Sequence, residues 1–507
     1  MKIIIVGAGI GGLSVYLALK KHLTGSITLS ITLVEAYSSP SQHVYSLLGN
    51  GLGLAPNGLR AIASITSGAV PYIYAHGYTK GSSMTFRNAK GKHLGTMGLG
   101  MAQRYGYSMT MLPRAIVHEA LLKEVDARDI RWGIRVVAVR EFDDGEGGIV
   151  VQYEDGTEEV ADLVIGADGV RSLVKRSLFN GDYEAQYEYV SSFHLLKKFS
   201  PHDSGFTGLG AFLPVSSLPP ALQQSLHTEG VTMTFGKNGF FGYSLCSPFP
   251  PSTTSTLEAF IQWWSIFETD TIPEKRDIDY EDVKAQLLKR HGDWVSPYDH
   301  IPDTSNNQER QGIFRTIIDL TFETTSASSI PKNVTILPRF ITPRLPAWSN
   351  ATYTSSTFKT NPKNEGRIVL VGDAAHTMPP DVGQGVSCAA EDSVAYVLLL
   401  KHFLSQSGNK SSDISSVLKK TAEAYELVRK PRIHAILDQA KYNASLKKEM
   451  GPFAAWMRDS AMWILCKYSS FFSQCWIQFI CHIQVNYLRA SMIPCLLMMR
   501  RSSWLTL

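Results

Sequence analysis

Four apolar residues, Ile3-Ile4-Ile5-Val6, run directly into the glycine-rich stretch Gly7-Ala8-Gly9-Ile10-Gly11-Gly12. A short unbroken apolar run reads as a strand buried on both faces, which belongs in a parallel sheet covered by helices. The glycines define the turn behind that strand. Gly7 permits a tight turn out of the strand, Gly9 lets the backbone approach a pyrophosphate, and Gly12 lets the next helix pack closely on the sheet. From Gly12 to Leu23, Leu13, Leu17 and Leu19 support a helix. A second strand, ITLSITLVE, ends at Glu35, where a carboxylate can accept ribose hydroxyls. This order predicts a βαβ unit that binds a dinucleotide. Glu35 also disfavours a 2′-phosphate there, because like charges repel.

A second glycine segment lies far downstream, GRIVLVGDAAHTMPPDVGQGVSCAAEDS from Gly366 to Ser393. Ile368 to Val371 reads as another buried strand, and Gly372-Asp373 follows it. A carboxylate at Asp373 can hydrogen-bond a polyol hydroxyl. The N–H groups that open the next helix, around Gly383 to Val386, can face a phosphate or a ring carbonyl. Gly383 and Gly385 keep side chains away from a flat ring, while Pro379 and Pro380 stiffen the loop. Asp168-Gly169, in IGADGVRS, is by itself a simple turn. Arg114, which opens the helix PRAIVHEALLKEV behind Leu112-Pro113, is by itself a solvated cation. His376 reads as a structural member of its loop rather than an acid or base.

At 507 residues, with 44% apolar and 19% charged residues, the chain can bury two or three domain cores. The net charge of +4 arises from 49 basic and 45 acidic side chains, a balance that argues against a nucleic-acid partner. None of the six cysteines forms a CxxC pair, so neither a metal site nor a disulfide framework is expected, and a reducing, cytoplasmic setting fits best. Between about Gly181 and Pro346, β-type runs such as GVTMTFGKNGFFGYSL alternate with Pro- and Ser-rich breaks. This predicts a sheet-rich domain, in which the pairs Trp263-Trp264 and Phe240-Phe241 are core with some capacity to wall an apolar pocket. Residues 324–364, rich in Ser, Thr, Pro and Asn, are read as including an exposed loop. The tail beyond Gly451 is strongly apolar. Tyr468 to Leu488 is long enough to span a bilayer, yet its serines, glutamines and Asn486 would be costly there. It suits a helix lying on a membrane surface or packed on the protein.

The two glycine segments, with GLGLAPNGLRAI from Gly51 to Ile62 between them, resemble the class A, single-component FAD-dependent monooxygenases, the salicylate and para-hydroxybenzoate hydroxylase superfamily. The likeness covers about residues 1 to 440 and is closest in texture to fungal members acting on secondary metabolites. It implies an α/β fold, with a Rossmann-like FAD-binding domain interrupted by a β-rich substrate domain. The FAD-binding domain takes residues 1–75, 111–180 and 347–450. Substrate-domain strands take 76–110, the β-rich substrate domain 181–346, and the apolar tail 451–507. The glycine fingerprint of Gly7, Gly9 and Gly12 then serves FAD. Gly53, Glu35, Arg114, Asp373 and Val386 match FAD contacts, with Gly383 and Gly385 beside the ring, and Asp168 matches the segment that meets both FAD and the nicotinamide.

The resemblance further implies that NADPH or NADH reduces the flavin as a transient co-substrate. Oxygen then forms a C4a-hydroperoxide that passes one oxygen atom to an electron-rich small molecule, by hydroxylation or epoxidation, in polyketide or terpenoid biosynthesis. The partners implied are that substrate and O2; the apolar tail, by its own composition, points to peripheral membrane contact. No catalytic residue is singled out. A flavin-dependent halogenase, a dehydrogenase and a non-catalytic flavoprotein are the alternatives; the WxWxIP segment of such halogenases is absent. The Ser/Thr/Pro-rich stretch before Gly366 and the tail depart from the family pattern.

Overall fold

Lys2–Val6 pairs in parallel with Ser30–Glu35 on one side and Leu163–Gly166 on the other in the computed structural model. Ile130–Trp132 and Ile368–Leu370 extend the sheet at its two edges, both in parallel. Ile3, Ile4 and Ile5 are fully buried, as a strand covered on both faces must be. Each such side chain contributes about 1.5–3 kcal/mol through burial, which anchors the register at the strand that carries the first glycine segment. Helices Ile10–Leu23, Gly385–Gln406 and Ile414–Ser445 contribute to the same core. The structure describes residues 1–468 apart from 26, 40–50, 80–82, 99–100, 143–146, 185, 188–204, 238, 249–258, 270–278, 300–311, 324–333, 339, 354–360, 408–413 and 448–449.

A second, seven-stranded sheet runs in the order Thr335–Pro338, Gly205–Pro214, Phe260–Thr269, Phe240–Leu245, Val231–Phe235, Ser83–Asn88, His93–Gly98. Two of its strands thus come from the 76–110 segment. One face is covered by helices Tyr280–His291 and Ile313–Phe322, whose Leu287, Phe314 and Ile317 meet Trp263, Phe241 and Tyr243. The middle segment is therefore less purely β than its sequence texture suggests. Asp279 caps the first of these helices by accepting from Glu281 N and Asp282 N, and basic residues close its last turn.

Several boundaries move for identifiable reasons. The second strand begins at Ser30, because Gly25 holds a positive φ of 87° in the preceding turn. The helix expected from Pro113 to Val125 is Arg114–Leu122, and beyond it Glu124 N and Val125 N bond only three residues back. Part of the 324–364 stretch is core: Trp348 is buried and Ser349 Oγ donates to Glu426 Oε1 at 2.7 Å. Asn350 Oδ1 accepts from Gly366 N and Ile368 N, tying this segment to the strand that carries the second glycine segment.

The tail divides. Pro452–Lys467 is a helix docked on the seven-stranded sheet, with Arg458 Nη1 donating to Gly236 O at 3.0 Å and Asn88 Nδ2 donating to Asp459 Oδ2 at 3.0 Å. For its first part, the packed alternative holds. The apolar run from Tyr468 to Leu488 lies, but for Tyr468, outside the described residues. Among those described, no helix is long and apolar enough to cross a membrane.

Candidate functional site

All five strands of the first sheet are parallel, so their C-terminal ends emerge on one edge and the loops behind them meet there. Gly7 leaves Lys2–Val6, Asp168 follows Leu163–Gly166, Asp373 follows Ile368–Leu370, and Glu35 closes its own strand. Gly7 has φ +100°, and a Cβ there would lie 2.6 Å from Ala167 O. A Cβ on Gly12 would fall 1.9 Å from Gly7 O. These two glycines are demanded by the protein's own close approaches. At Gly9 and Gly385 a Cβ would meet nothing within 4 Å, and at Gly383 only Gly53 O at 3.9 Å. Those glycines border open space.

Two helices aim their N-termini at this edge. Neither Ile10–Leu23 nor Gly385–Gln406 has a side-chain cap or an acidic first turn, so their leading N–H groups are unspent. Val386 sits half-buried in that first turn of the second helix. Glu35 Oε2 accepts from Ala8 N at 2.8 Å and Oε1 from Tyr37 N at 3.0 Å, which holds the carboxylate against the glycine turn with lone pairs to spare. Asp373 is exposed, and its carboxylate bonds none of the described residues. Gly53 lies in the Gly51–Leu54 strand, paired with Thr110–Pro113. Arg114 is exposed at the start of the next helix. One turn on, His118 Nε2 lies 2.8 Å from Ala8 O. Burial pushes the pKa of this imidazole down. Arg114 adds to that, against the opposing influence of the Ala8 carbonyl and Glu35. A neutral His118 therefore donates from Nε2 to the glycine turn.

Unspent N–H groups from two helices, an unpartnered carboxylate and bare glycine positions fit a long anionic cofactor with a polyol chain and a flat ring. FAD has that shape and charge. Asp168 is placed differently from the rest. Its Oδ1 accepts from Ser172 Oγ at 2.5 Å, and its Oδ2 from Leu173 N at 2.7 Å and Val174 N at 3.2 Å. Burial raises its pKa against those three bonds. Its carboxylate is occupied at the start of the Leu173–Leu178 helix, and Ser172 caps that helix by accepting from Lys175 N.

Sequence reasoning missed the charge network beneath the site. Asp392 is fully buried; its Oδ2 accepts from Gly372 N at 3.0 Å and from His376 Nε2 at 2.5 Å, and its Oδ1 accepts from Arg429 Nε at 2.7 Å. Burial would raise its pKa, but His376 and Arg429 outweigh burial and hold it at about 2. Glu391 accepts from Asn57 Nδ2, Arg429 Nη1 and both Nε and Nη2 of Arg432. Asn57 Nδ2 also donates to Gln384 Oε1 at 3.0 Å. The network joins the Gly51 segment, the Gly372-Asp373 turn, the Gly385–Gln406 helix and the Ile414–Ser445 helix. His376 is structural in this arrangement.

Comparison with known proteins decides the family. The family model described as an FAD binding domain matches residues 1–198 and 340–440. The chain belongs to the FAD binding domain family. It is 25% identical over 464 residues to the aurachin C monooxygenase/isomerase of Stigmatella aurantiaca, covering 91% of this chain and 94% of that one. It is 24% identical over 449 residues to the FAD-dependent monooxygenase janM of Penicillium janthinellum, covering 87% and 76%. The crystal structure of Klebsiella pneumoniae HpxO complexed with FAD and uric acid shares the fold, with TM-score 0.63, 18% identity and coverage of 91% and 92%. The chain is thus a class A FAD-dependent monooxygenase with the para-hydroxybenzoate hydroxylase-like fold, and NAD(P)H is the reductant typical of such enzymes.

Proposed function

We propose that this enzyme uses NADPH or NADH and O2 to place one oxygen atom on an electron-rich small molecule, by hydroxylation or epoxidation, in polyketide or terpenoid biosynthesis. The observation that carries the reading is the shared sheet edge, where two uncapped helix N-termini, Glu35, Asp373 and the bare glycines converge. Bound FAD supplies reduction by the nicotinamide and activation of oxygen; the chain supplies everything around it. The N–H groups at Ile10–Gly12 and Gly385–Ser387 neutralise anionic charge. Asp373 and Glu35 fix hydroxyl groups, and bare backbone at Gly383 and Gly385 lets a flat ring lie close. The buried Asp392 network holds these parts in one geometry and keeps water from beneath them. The relatives named as monooxygenases support the reaction class. The test is turnover of candidate polyketide, terpenoid and phenolic substrates under 18O2. One labelled oxygen per product, at the expense of a reduced nicotinamide, is expected; label arriving from water instead sinks the reading.

A second feature concerns where the enzyme works. Phe453 and Trp456 on the outer face of the Pro452–Lys467 helix are 74% and 61% exposed, and Met457, Trp463, Ile464 and Leu465 extend that apolar face. Lys467 stands 4.7 Å over the Trp463 ring. From Ser469 to Leu507 the sequence holds Arg489, Arg500 and Arg501 and no acidic residue. Apolar and aromatic side chains with only cations suit an anionic lipid surface, and we propose peripheral membrane contact through this end of the chain.

A further inference from the structure

Lys447 touches both the glycine turn of the second flavin segment and the seven-stranded sheet. It follows the Ile414–Ser445 helix, and its N–H donates to Ala444 O at 3.0 Å. Its Nζ donates to Asp381 Oδ1, and both side chains are buried. Asp381 belongs to the turn Pro380–Val382, which ends on Gly383 at φ +62°. Asn443, four residues before Lys447, holds the same turn by its backbone, donating from Nδ2 to Asp381 O at 3.3 Å.

On the sheet side Lys447 makes two contacts. Its ammonium stands 4.2 Å from the centroid of the Phe240 ring, and its carbonyl accepts from Gly239 N at 3.0 Å. Phe240 begins the Phe240–Leu245 strand, and Gly239 directly precedes it. Neighbouring chain is held from the same side: Met450 N donates to Lys237 O at 2.9 Å, and Arg458 Nη1 to Gly236 O at 3.0 Å. Strand alternation puts Trp263 on the helix-covered face, stacked on Phe241 with centroids 5.1 Å apart. It puts Trp264 on the other face, edge-on to Phe240 at 6.4 Å. Lys447 therefore meets the sheet on the face that Trp264 shares, within the cluster of Phe235, Phe240, Ile266 and Ala444.

A buried ion pair is a poor source of stability, because desolvation offsets most of the attraction and apolar side chains of like volume pack as well. Apolar side chains would not, however, tie the Asp381 turn and the Phe240 strand to one point. We propose that Lys447 is a positioning residue that couples the flavin site to the substrate sheet. Filling the site orders the Pro380–Val382 turn and, through Asp381 and Lys447, the start of the Phe240–Leu245 strand. The inference rests on the proposed placement of FAD at Gly383 and Gly385 and adds a link from that site to the second sheet. The link is reciprocal: a ligand that orders this sheet face tightens FAD by the factor by which FAD tightens that ligand.

Amide hydrogen exchange of the full chain, as the FAD holoenzyme and after removal of FAD, reads this link. In the wild type, FAD should slow exchange about fivefold or more in peptides covering residues 377–387 and also in those covering 236–245. Asp381→Asn combined with Lys447→Met removes both charges at nearly constant volume. In that variant FAD should still protect 377–387, and the protection of 236–245 should be lost. Lys447→Arg, which keeps the cation, should retain both. The melting temperature of the FAD-free double variant should stay close to that of the wild type, which separates coupling from stability. If the double variant does not fold, Lys447→Gln replaces it with the same expectation. Residues 236–245 unprotected by FAD in the wild type, or protected equally in the variant, overturn the inference. Failure of FAD to protect 377–387 in the wild type overturns the flavin-site reading instead, so the two failures are distinguishable.

Discussion

Asp168 and Asp373 follow neighbouring strands on the same sheet edge, and their surroundings give them opposite work. Asp373 presents a free carboxylate to the open side, whereas both oxygens of Asp168 are spent on Ser172, Leu173 and Val174. Asp373→Ala is therefore expected to weaken FAD roughly ten- to hundredfold, the worth of a charge-assisted hydrogen bond of about 1.5–3 kcal/mol. Flavin fluorescence titration measures this, and the unfolding midpoint of the FAD-free protein should not move. Asp168→Ala should do the reverse, costing about 0.5–2 kcal/mol of stability through a lost helix start; a change in FAD affinity alone would show that Asp168 serves the cofactor directly. His291 makes a second residue-scale case. It is fully buried, with Nε2 2.8 Å from Ser265 Oγ, and burial, with help from Arg290, pushes its pKa down to about 3. The unfolded chain takes up this proton near pH 6.5 while the folded one refuses it. Stability is thus complete above pH 6.5 and falls by about 1.4 kcal/mol per pH unit as pH drops toward 3. Denaturant unfolding at pH 7 and pH 5 should show about 2 kcal/mol of this loss in the wild type and its absence in His291→Gln.

The elements meet through the Asp392 network, and this is where the sequence was least readable. Strand, glycines and helix from Ile3 to Leu23 announce themselves through local spacing. Glu391-Asp392 carries no such signal, because two adjacent acids on a helix are ordinarily solvated. Their partners, Asn57, Arg429 and Arg432, come from distant segments that only the assembled fold brings together. The different fates of Trp263 and Trp264 were hidden for a related reason: alternation separates them only once the strand and its covered face are known. Asp392→Asn leaves Arg429 short of a buried partner and should destabilise by about 3–5 kcal/mol. Because Asp392 also holds Gly372 N, FAD affinity should fall with it. Scanning calorimetry with and without excess FAD checks both effects. A lower melting temperature with undiminished FAD affinity would confine Asp392 to the core.

At the scale of the whole molecule, the C-terminal helix has an inner face that belongs to the fold and an outer face to which the proposed membrane contact is assigned. The inner face of Pro452–Lys467 belongs to the fold: Arg458 reaches Gly236 O and stands 5.2 Å over the Phe235 ring, and Met462 packs on the cluster that closes the sheet face behind Trp264. A Cβ on Gly95 would collide with Cys466 Cβ at 2.0 Å, so the helix lies hard against the sheet's edge strand as well. A chain ending at Met450 would bare Phe86, Phe235 and Phe240, and should melt well below a chain ending at Tyr468 while both start with the flavin segments intact. Equal melting temperatures would mean that the helix contributes nothing to the fold. Among the described residues the outer face has no such packing, and its aromatic side chains with Lys467 and the three later arginines suit an anionic lipid surface. The full chain should therefore sediment with vesicles containing phosphatidylserine. The chain ending at Tyr468 should do so more weakly and with less sensitivity to salt, having lost three cations worth about 1 kcal/mol each near such a surface. Trp456→Gln combined with Trp463→Gln in the full chain should weaken sedimentation with FAD retained. Sedimentation unaffected by both changes would place the membrane contact elsewhere, and none in the full chain would leave the helix a purely structural element of the substrate domain.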